Sequence, residues 1–183
     1  MTRFSSAAAT SLVVVSLVLG ALLVSVAPSG VAASKSVSDT KGDARVKGLD
    51  LTGLRAAFGK GRLRLTYTFK SLGDSGWVES LYGPKPFKYA DDGFMVSVNK
   101  PAGKKPRAVV RRYQEYTGTG SPLRGCGIKR QWQVPRNRVI VSFDADCGLK
   151  KVPRALDILG GSAFAAGRGD YSDGVGRFQV RYN

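Results

Sequence analysis

Histidine is absent from this chain of 183 residues, and the sequence holds only two cysteines and two glutamates. The lack of histidine excludes a Ser-His-Asp triad and any histidine-ligated metal site. Carboxylate chemistry, as in glycoside hydrolysis, would depend on Glu79 and Glu115. The composition therefore favours a protein with no catalytic activity, no cofactor and no resident metal.

Charged residues are also missing from the N-terminus, where Arg3 is the only one among the first 34 residues. An apolar stretch over Leu12–Ala27 is followed by Pro28-Ser29-Gly30 and then by the small residues Val31-Ala32-Ala33. This order is typical of a secretory signal peptide that is cleaved after a small residue. A retained membrane anchor is the alternative, since the apolar run approaches the roughly 20 residues that span a bilayer. We expect residues 1–33 to be removed and the mature protein to be secreted, with no membrane segment left.

Acidic residues are few in the part that remains. The chain has 29 Lys and Arg against 13 Asp and Glu, and loss of Arg3 with the signal peptide leaves 28 basic and 13 acidic residues, a net charge of +15. A charge of this size attracts polyanions. Secretion also places Cys126 and Cys147 in an oxidising compartment, where an even number of cysteines indicates a disulfide.

Alternating residues give the clearest structural prediction. In Arg62–Lys70 the apolar side chains are spaced two apart and the intervening ones are polar, with Leu63, Leu65, Tyr67 and Phe69 as the apolar set. This period is typical of a strand with one buried face. Gly59-Lys60-Gly61 predicts a tight turn from an extended segment that starts at Leu49. Residues 34–47 are polar and predict a flexible leader before one domain at residues 48–183.

Short apolar segments recur about every ten residues after this hairpin, with no amphipathic helix of useful length between them. The predicted strands are Phe94–Val98, Arg107–Tyr116, Ile128–Val134, Val139–Phe143, Ala155–Leu159, Ser162–Ala166 and Val175–Tyr182. Ser71–Asp92 is rich in glycine and proline and predicts a loop. The chain is therefore expected to be all-β: an antiparallel β-sandwich or jelly-roll-like domain of eight or nine short strands with one disulfide.

Short motifs near both ends of the domain resemble those of known exported proteins. Asp39-Thr40-Lys41-Gly42-Asp43 leads into Leu49-Asp50-Leu51 and the alternating strand, and Val134-Pro135-Arg136 precedes Cys147-Gly148-Leu149. This order resembles uncharacterised proteins exported by high-GC Gram-positive bacteria and the start of β-sandwich domains such as carbohydrate-binding module family nine. The resemblance implies a β-sandwich. Sugar-binding members usually clamp their ligand between tryptophans, and this chain has Trp77 and Trp132.

Basic residues are concentrated between Gly93 and Phe143, where eleven cations accompany a single acid, Glu115. If their strands are neighbours, outward cations there merge into one positive face, for which we select Arg107, Arg111, Lys129 and Arg138. Such a face suits phosphate or carboxylate polymers. A basic surface that is merely solvated is the alternative.

Aromatic residues supply the other candidate contacts. Trp77 and Tyr82 share the predicted loop with Phe87 and Tyr89 and are placed to stack on a ligand, whereas Trp132 lies on a predicted strand and is expected in the core. Four pairs of aspartates could hold Ca²⁺: Asp39 with Asp43, Asp91 with Asp92, Asp144 with Asp146, and Asp170 with Asp173. None has an EF-hand spacing, and we expect them to stabilise turns.

The sequence thus predicts a secreted, monomeric, non-catalytic domain that binds an anionic polymer or glycan of the cell envelope, with no specific nucleic-acid site. The candidate ligand contacts are Trp77, Tyr82, Arg107, Arg111, Lys129 and Arg138. A structural accessory domain with no small ligand is the main alternative. A carboxylate-based glycoside hydrolase is the third.

Overall fold

The computed structural model describes residues 33–84, 93–114, 118–166 and 171–181. Within these ranges the chain forms thirteen β-strands and one 3-10 turn, Val134–Arg136. The strands are β1 (Ala33–Ser38), β2 (Leu49–Gly59), β3 (Arg62–Leu72), β4 (Gly76–Pro84), β5 (Gly93–Lys100), β6 (Arg107–Gln114), β7 (Gly118–Pro122), β8 (Lys129–Gln133), β9 (Arg138–Asp144), β10 (Ala155–Ile158), β11 (Gly161–Phe164), β12 (Tyr171–Val175) and β13 (Phe178–Arg181). The described part contains no helix with the length and apolar character needed to cross a membrane.

Some sequence predictions fall outside these ranges. They concern the signal peptide up to Ala32, the aromatic residues Phe87 and Tyr89, the glutamate Glu115, and the aspartates Asp91, Asp92 and Asp170.

The strands form two antiparallel sheets that pack as a sandwich, which confirms the predicted fold class. The smaller sheet has the order β1-β2-β3-β9-β8, and the larger has the order β12-β11-β4-β5-β6-β7. Strand β10 extends the larger sheet by pairing with both β4 and β13. Thirteen strands exceed the predicted eight or nine, because β1, β4, β7 and β12 were not expected from the sequence.

The predicted hairpin is present as β2 and β3. Leu63, Leu65 and Tyr67 are fully buried in the core, whereas Arg64 and Thr68 face solvent on the other side of the strand. The register pair Gly59 and Arg62 leaves a two-residue turn, Lys60-Gly61, with φ values of 53° and 71°. Positive φ at both central residues is the geometry of a type I′ turn, whose twist matches that of the flanking strands.

The segment predicted as a flexible leader begins with strand β1, which pairs with β2 over its whole length. The backbone continues to bond beyond the strand, with Asp39 N donating to Thr52 O at 3.1 Å and Arg45 N to Ser172 O at 3.1 Å. Backbone hydrogen bonds need no apolar side chain, and β1 contributes only Ala33 and Val37 to the core. The polar composition of this segment therefore gives no apolar pattern from which the edge strand could be predicted.

The predicted loop at residues 71–92 contains a central strand instead. Strand β4 pairs with β5 on one side and with β10 and β11 on the other. Val78, Ser80 and Tyr82 face the core, while Trp77 and Leu81 lie on the outer side. Because both faces carry large apolar residues, the polar–apolar alternation that marks a strand is missing from this sequence.

The disulfide joins Cys126 and Cys147, as expected, with their Cα atoms 5.1 Å apart. Cys126 lies before β8, and Cys147 lies in the turn after β9. Backbone bonds at Asp144 reinforce the link, since its N donates to Cys126 O at 2.9 Å and its O accepts from Cys147 N at 3.0 Å. The bridge therefore fixes the loop before β8 to the end of β9.

Candidate ligand-binding face

A row of paired side chains crosses the outer side of the larger sheet. Register places Tyr171 of β12 opposite Phe164 of β11, Phe164 opposite Trp77 of β4, Trp77 opposite Asn99 of β5, and Asn99 opposite Arg107 of β6. Directly paired residues of an antiparallel sheet point to the same face. At a strand separation of about 4.8 Å, the row is roughly 19 Å long.

The first half of the row is aromatic. The rings of Trp77 and Phe164 are 5.3 Å apart, and those of Phe164 and Tyr171 are 5.8 Å apart with their planes near perpendicular. Tyr171 is 47% exposed, and the other two are partly exposed. Phe164 and Tyr171 were not among the residues selected from the sequence. The available signal was the alternation of side chains along Gly161–Phe164: Ala163 faces the core, so its neighbour Phe164 faces outward.

The second half of the row borders an open cavity of about 640 Å³. Three of the residues selected from the sequence line it together, namely Trp77, Arg107 and Arg111, with Met95, Ser97, Asn99, Ala108 and Val109 as the other lining residues. None of these is acidic. Arg107 is exposed, and Arg111 donates from Nη1 to Gly120 O at 3.2 Å. The cavity is thus lined by uncharged residues on β4 and β5 and is positively charged along β6.

Glu79 carries a negative charge on the same face. It is paired with Ser97 on β5 and with Ser162 on β11, so it lies one step along β4 from the aromatic row. The side chain is half-buried, and this burial raises the pKa of Glu79 above its ordinary value.

Tyr82 is a correction to the predicted site. It is fully buried between Phe94 and Phe143, with ring centroids at 5.5 Å and 5.1 Å. Burial raises the pKa of Tyr82, and its hydroxyl has no hydrogen-bond partner among the residues that the structure describes. Tyr82 belongs to the core because it lies on the opposite side of β4 from Trp77.

The single positive face predicted for the cations is also wrong. Arg107 and Arg111 lie on β6 of the larger sheet, whereas Lys129 and Arg138 lie on β8 and β9 of the smaller one. Lys129 is paired with Ser142, on the side away from the buried Val141. The two groups therefore occupy opposite outer surfaces of the sandwich. Their strands are close in sequence but belong to different sheets.

Trp132 packs against the core, as expected from its strand. It is paired with the buried Val139, and its Nε1 donates to Gly73 O at 2.8 Å. The inner side of β8 thus holds this ring. Trp77 and Trp132 cannot clamp a ligand between them, since they lie on the outer and inner sides of different sheets.

Three aspartates meet at the other end of the aromatic row. Carboxylate oxygens of Asp39, Asp43 and Asp173 lie within 4.8 Å of one another. Asp173 is 6% exposed and accepts hydrogen bonds from Leu51 N at 2.6 Å and Gly174 N at 2.8 Å. Burial raises the pKa of Asp173, and the negative charges of Asp39 and Asp43 raise it further. The hydrogen bond from Leu51 joins β12 to β2, although the three carboxylates that meet there repel one another.

Comparison with known proteins gives no match to a protein-family model, to a curated protein or to a solved structure. The functional interpretation therefore rests on the chemistry of the described residues.

Proposed function

We propose that the protein is a secreted, non-catalytic domain that binds an anionic glycan of the cell envelope on the outer face of its larger sheet. The observation that supports this proposal is the row from Tyr171 to Arg107, with Trp77, Arg107 and Arg111 around one open cavity. The row combines the two kinds of contact that such a polymer requires.

The aromatic half of the row matches the apolar side of sugar rings. A pyranose presents C–H groups on its faces and hydroxyls around its edge, so an exposed aromatic ring covers a face and leaves the hydroxyls free. Trp77, Phe164 and Tyr171 offer three rings in succession, of which Tyr171 is exposed and the other two are partly exposed. Extended over roughly 19 Å, the row accommodates several consecutive sugars rather than one.

The basic half of the row favours ligands with negatively charged groups. A guanidinium binds a carboxylate or sulfate through two parallel hydrogen bonds, which gives both energy and orientation. Arg107 and Arg111 are four residues apart on β6, and none of the described residues that line the cavity they border is acidic. We infer that acidic sugars bind with their rings near Trp77 and their anionic groups toward β6.

Titration calorimetry with oligogalacturonate tests this proposal, and its methyl ester serves as the uncharged ligand with the same rings. Trp77→Ala is expected to weaken binding of oligogalacturonate about tenfold, equivalent to about 1.4 kcal/mol. Tyr171→Ser is expected to weaken it about threefold, a loss of roughly 0.7 kcal/mol. Arg107→Gln is expected to reduce both the affinity and its dependence on salt, because one ion pair is lost.

Lys150→Gln is the matched control, since it removes one exposed cation that does not line the cavity. Its affinity is expected to stay within twofold of the parent. The proposal fails if Arg107→Gln and Lys150→Gln weaken binding equally, or if the methyl ester binds as tightly as the acid. Melting curves of all variants show whether a loss of binding reflects a loss of folding.

Replacement of Glu79 distinguishes a binding domain from a hydrolase. Replacement of Glu79 by Gln removes a negative charge from the face, so a binding domain is expected to hold oligogalacturonate about threefold more tightly, a gain of roughly 0.7 kcal/mol. In a hydrolase, a glutamate with a raised pKa acts as the general acid, and the same change abolishes turnover. Release of reducing ends, measured beside the affinity, distinguishes the two.

A further inference from the structure

The outer side of the smaller sheet holds a second cavity, of about 290 Å³. Its lining comes from three adjacent strands and consists of Arg55, Ala57, Arg64, Thr66, Arg138 and Ile140. Arg55 is paired with Thr66 across β2 and β3, and Thr66 is paired with Ile140 across β3 and β9. Arg64, which is paired with Ala57, lies on one side of this line of residues, and Arg138, which is paired with Thr68, lies on the other side. Three guanidinium groups therefore surround Thr66.

The partners of these arginines are neutral. Arg55 donates from Nη2 to Ser34 Oγ at 3.0 Å, and Arg138 donates from Nε to Gln133 Oε1 at 2.5 Å. No ion pair to any of the three is formed by the residues that the structure describes. The acid nearest along β9, Asp144, is held by Arg62. The positive charge of the arginine cluster is therefore not cancelled by the protein.

Like charges on neighbouring strands repel each other, so a sheet gains nothing in stability from this arrangement. An anion in the cavity would remove the repulsion and accept donors from several directions. A tetrahedral oxyanion offers three or four oxygens to three guanidinium forks, and the Thr66 hydroxyl adds one more donor. A planar carboxylate offers two oxygens in one plane and fits three guanidinium groups around a cavity less well.

We propose that Arg55, Arg64 and Arg138 form a binding site for a tetrahedral oxyanion, the phosphate or sulfate group of a larger ligand. This site lies on the opposite outer surface from Trp77 and does not depend on the proposed glycan-binding row. It assigns a function to Arg138, which the sequence had placed with Arg111 on one face.

The test is a titration of the ¹⁵N-labelled protein with inorganic phosphate, sulfate and acetate at low ionic strength, followed by amide chemical shifts. Phosphate and sulfate are expected to shift amides of β2, β3 and β9 around Thr66, and acetate is expected to bind at least tenfold more weakly. Phosphate tighter than sulfate points to a phosphorylated ligand, and equal binding points to a sulfated one; both support the site. Acetate binding at the same amides with equal affinity would overturn it.

Three variants keep the test independent of general charge and of folding. Arg64→Gln is expected to weaken phosphate binding at least tenfold, whereas Lys129→Gln, which removes a cation from the same surface outside the cavity, is expected to change it less than twofold. Arg64→Lys preserves the charge and is expected to weaken binding about threefold, through loss of the planar fork. Equal losses in Arg64→Gln and Lys129→Gln would show diffuse attraction and refute the site.

Trp77→Ala distinguishes this proposal from the glycan-binding one. It is expected to leave phosphate binding unchanged while it weakens binding of oligogalacturonate. Loss of both in Trp77→Ala would contradict two separate sites, and the absence of glycan binding in the parent protein would leave the phosphate result to stand by itself.

Discussion

Two tyrosines of the core differ in one hydrogen bond. Tyr67 and Tyr82 are both fully buried, but Tyr67 Oη lies 2.7 Å from Ser80 Oγ, whereas the Tyr82 hydroxyl has no partner within the described ranges. A buried polar group without a partner lowers stability, because it has given up its hydrogen bonds to water.

Phenylalanine replacements of the two tyrosines are therefore expected to differ in their effect on the free energy of unfolding, measured in urea. Tyr67→Phe should lower it by about 1 kcal/mol, since Ser80 is left without its buried partner. Tyr82→Phe should leave it unchanged or raise it by up to about 1 kcal/mol. Equal losses in both variants would show that the Tyr82 hydroxyl is hydrogen-bonded in solution.

The aspartate cluster leads to a prediction of how the stability of the protein depends on pH. The pKa of Asp173 is raised in the folded protein, so its ionisation lowers stability above that pKa and the penalty disappears as the pH falls below the pKa of the unfolded chain. Asp39→Asn removes a neighbouring negative charge and still accepts the hydrogen bond from Thr40 N. It is expected to raise stability at pH 7 by about 0.5 kcal/mol.

This gain should shrink toward pH 3, where Asp173 is protonated, and a series of melting curves between the two values measures it. Asp146→Asn is the control, since Asp146 is exposed and outside the cluster. A gain from Asp39→Asn that does not change with pH would contradict the repulsion at Asp173.

Among the elements, the β2–β3 hairpin gives a prediction about its turn. Lys60 has a φ of 53°, a conformation that costs a residue with a Cβ about 1 kcal/mol, and asparagine tolerates it better. Lys60→Asn is expected to stabilise the protein by about 0.5 kcal/mol in urea unfolding. Gly61→Ala should destabilise it by about 1 kcal/mol, although an added Cβ would contact nothing within 4 Å. An unchanged stability in Gly61→Ala would argue against the type I′ turn.

The same elements show what could be predicted from the sequence. Strand β3 was recognised because it is polar on one face and apolar on the other, so its alternation is visible. Strand β4 lies in the middle of a sheet with apolar residues on both faces, and edge strand β1 is held by backbone bonds that leave little trace in side-chain pattern. Both were missed for physical reasons rather than by chance.

The candidate site divides in a similar way. Trp77, Arg107 and Arg111 were selected by residue type, but their common cavity depends on the pairing of β4, β5 and β6, which a single sequence does not specify. Tyr82 was wrongly predicted to contact a ligand, because strand β4, on which it lies, was predicted to be a loop. Phe164 and Tyr171 enter the site because β11 pairs with β4, although Phe164 follows its partner Trp77 by 87 residues in the chain.

At the scale of the whole molecule, the disulfide closes a loop across a sequence separation of 21 residues. A loop of this length is expected to stabilise the fold by about 3 kcal/mol through the entropy of the unfolded chain. Removal of both thiols in a Cys126→Ala, Cys147→Ala double variant should lower the free energy of unfolding in guanidinium by that amount. A reducing agent should destabilise the parent protein to the same degree and leave the variant unaffected. A loss of less than about 1 kcal/mol would contradict this stabilising role.

The two outer surfaces of the sandwich carry the two proposed binding sites. One combines aromatic rings with Arg107 and Arg111, and the other presents Arg55, Arg64 and Arg138 among neutral polar residues. A net charge of +16 would attract polyanions to any part of the surface, so affinity alone does not identify a site. The position of the bound ligand does.

The most direct measurement is the map of amide chemical shifts in ¹⁵N-labelled protein saturated with oligogalacturonate. The account predicts that the largest shifts cluster at Trp77, Asn99, Arg107 and Phe164 and that the indole signal of Trp77 moves while that of Trp132 does not. Shifts confined to β3 and β9, or small shifts spread over every basic residue, would contradict a glycan-binding row on the larger sheet.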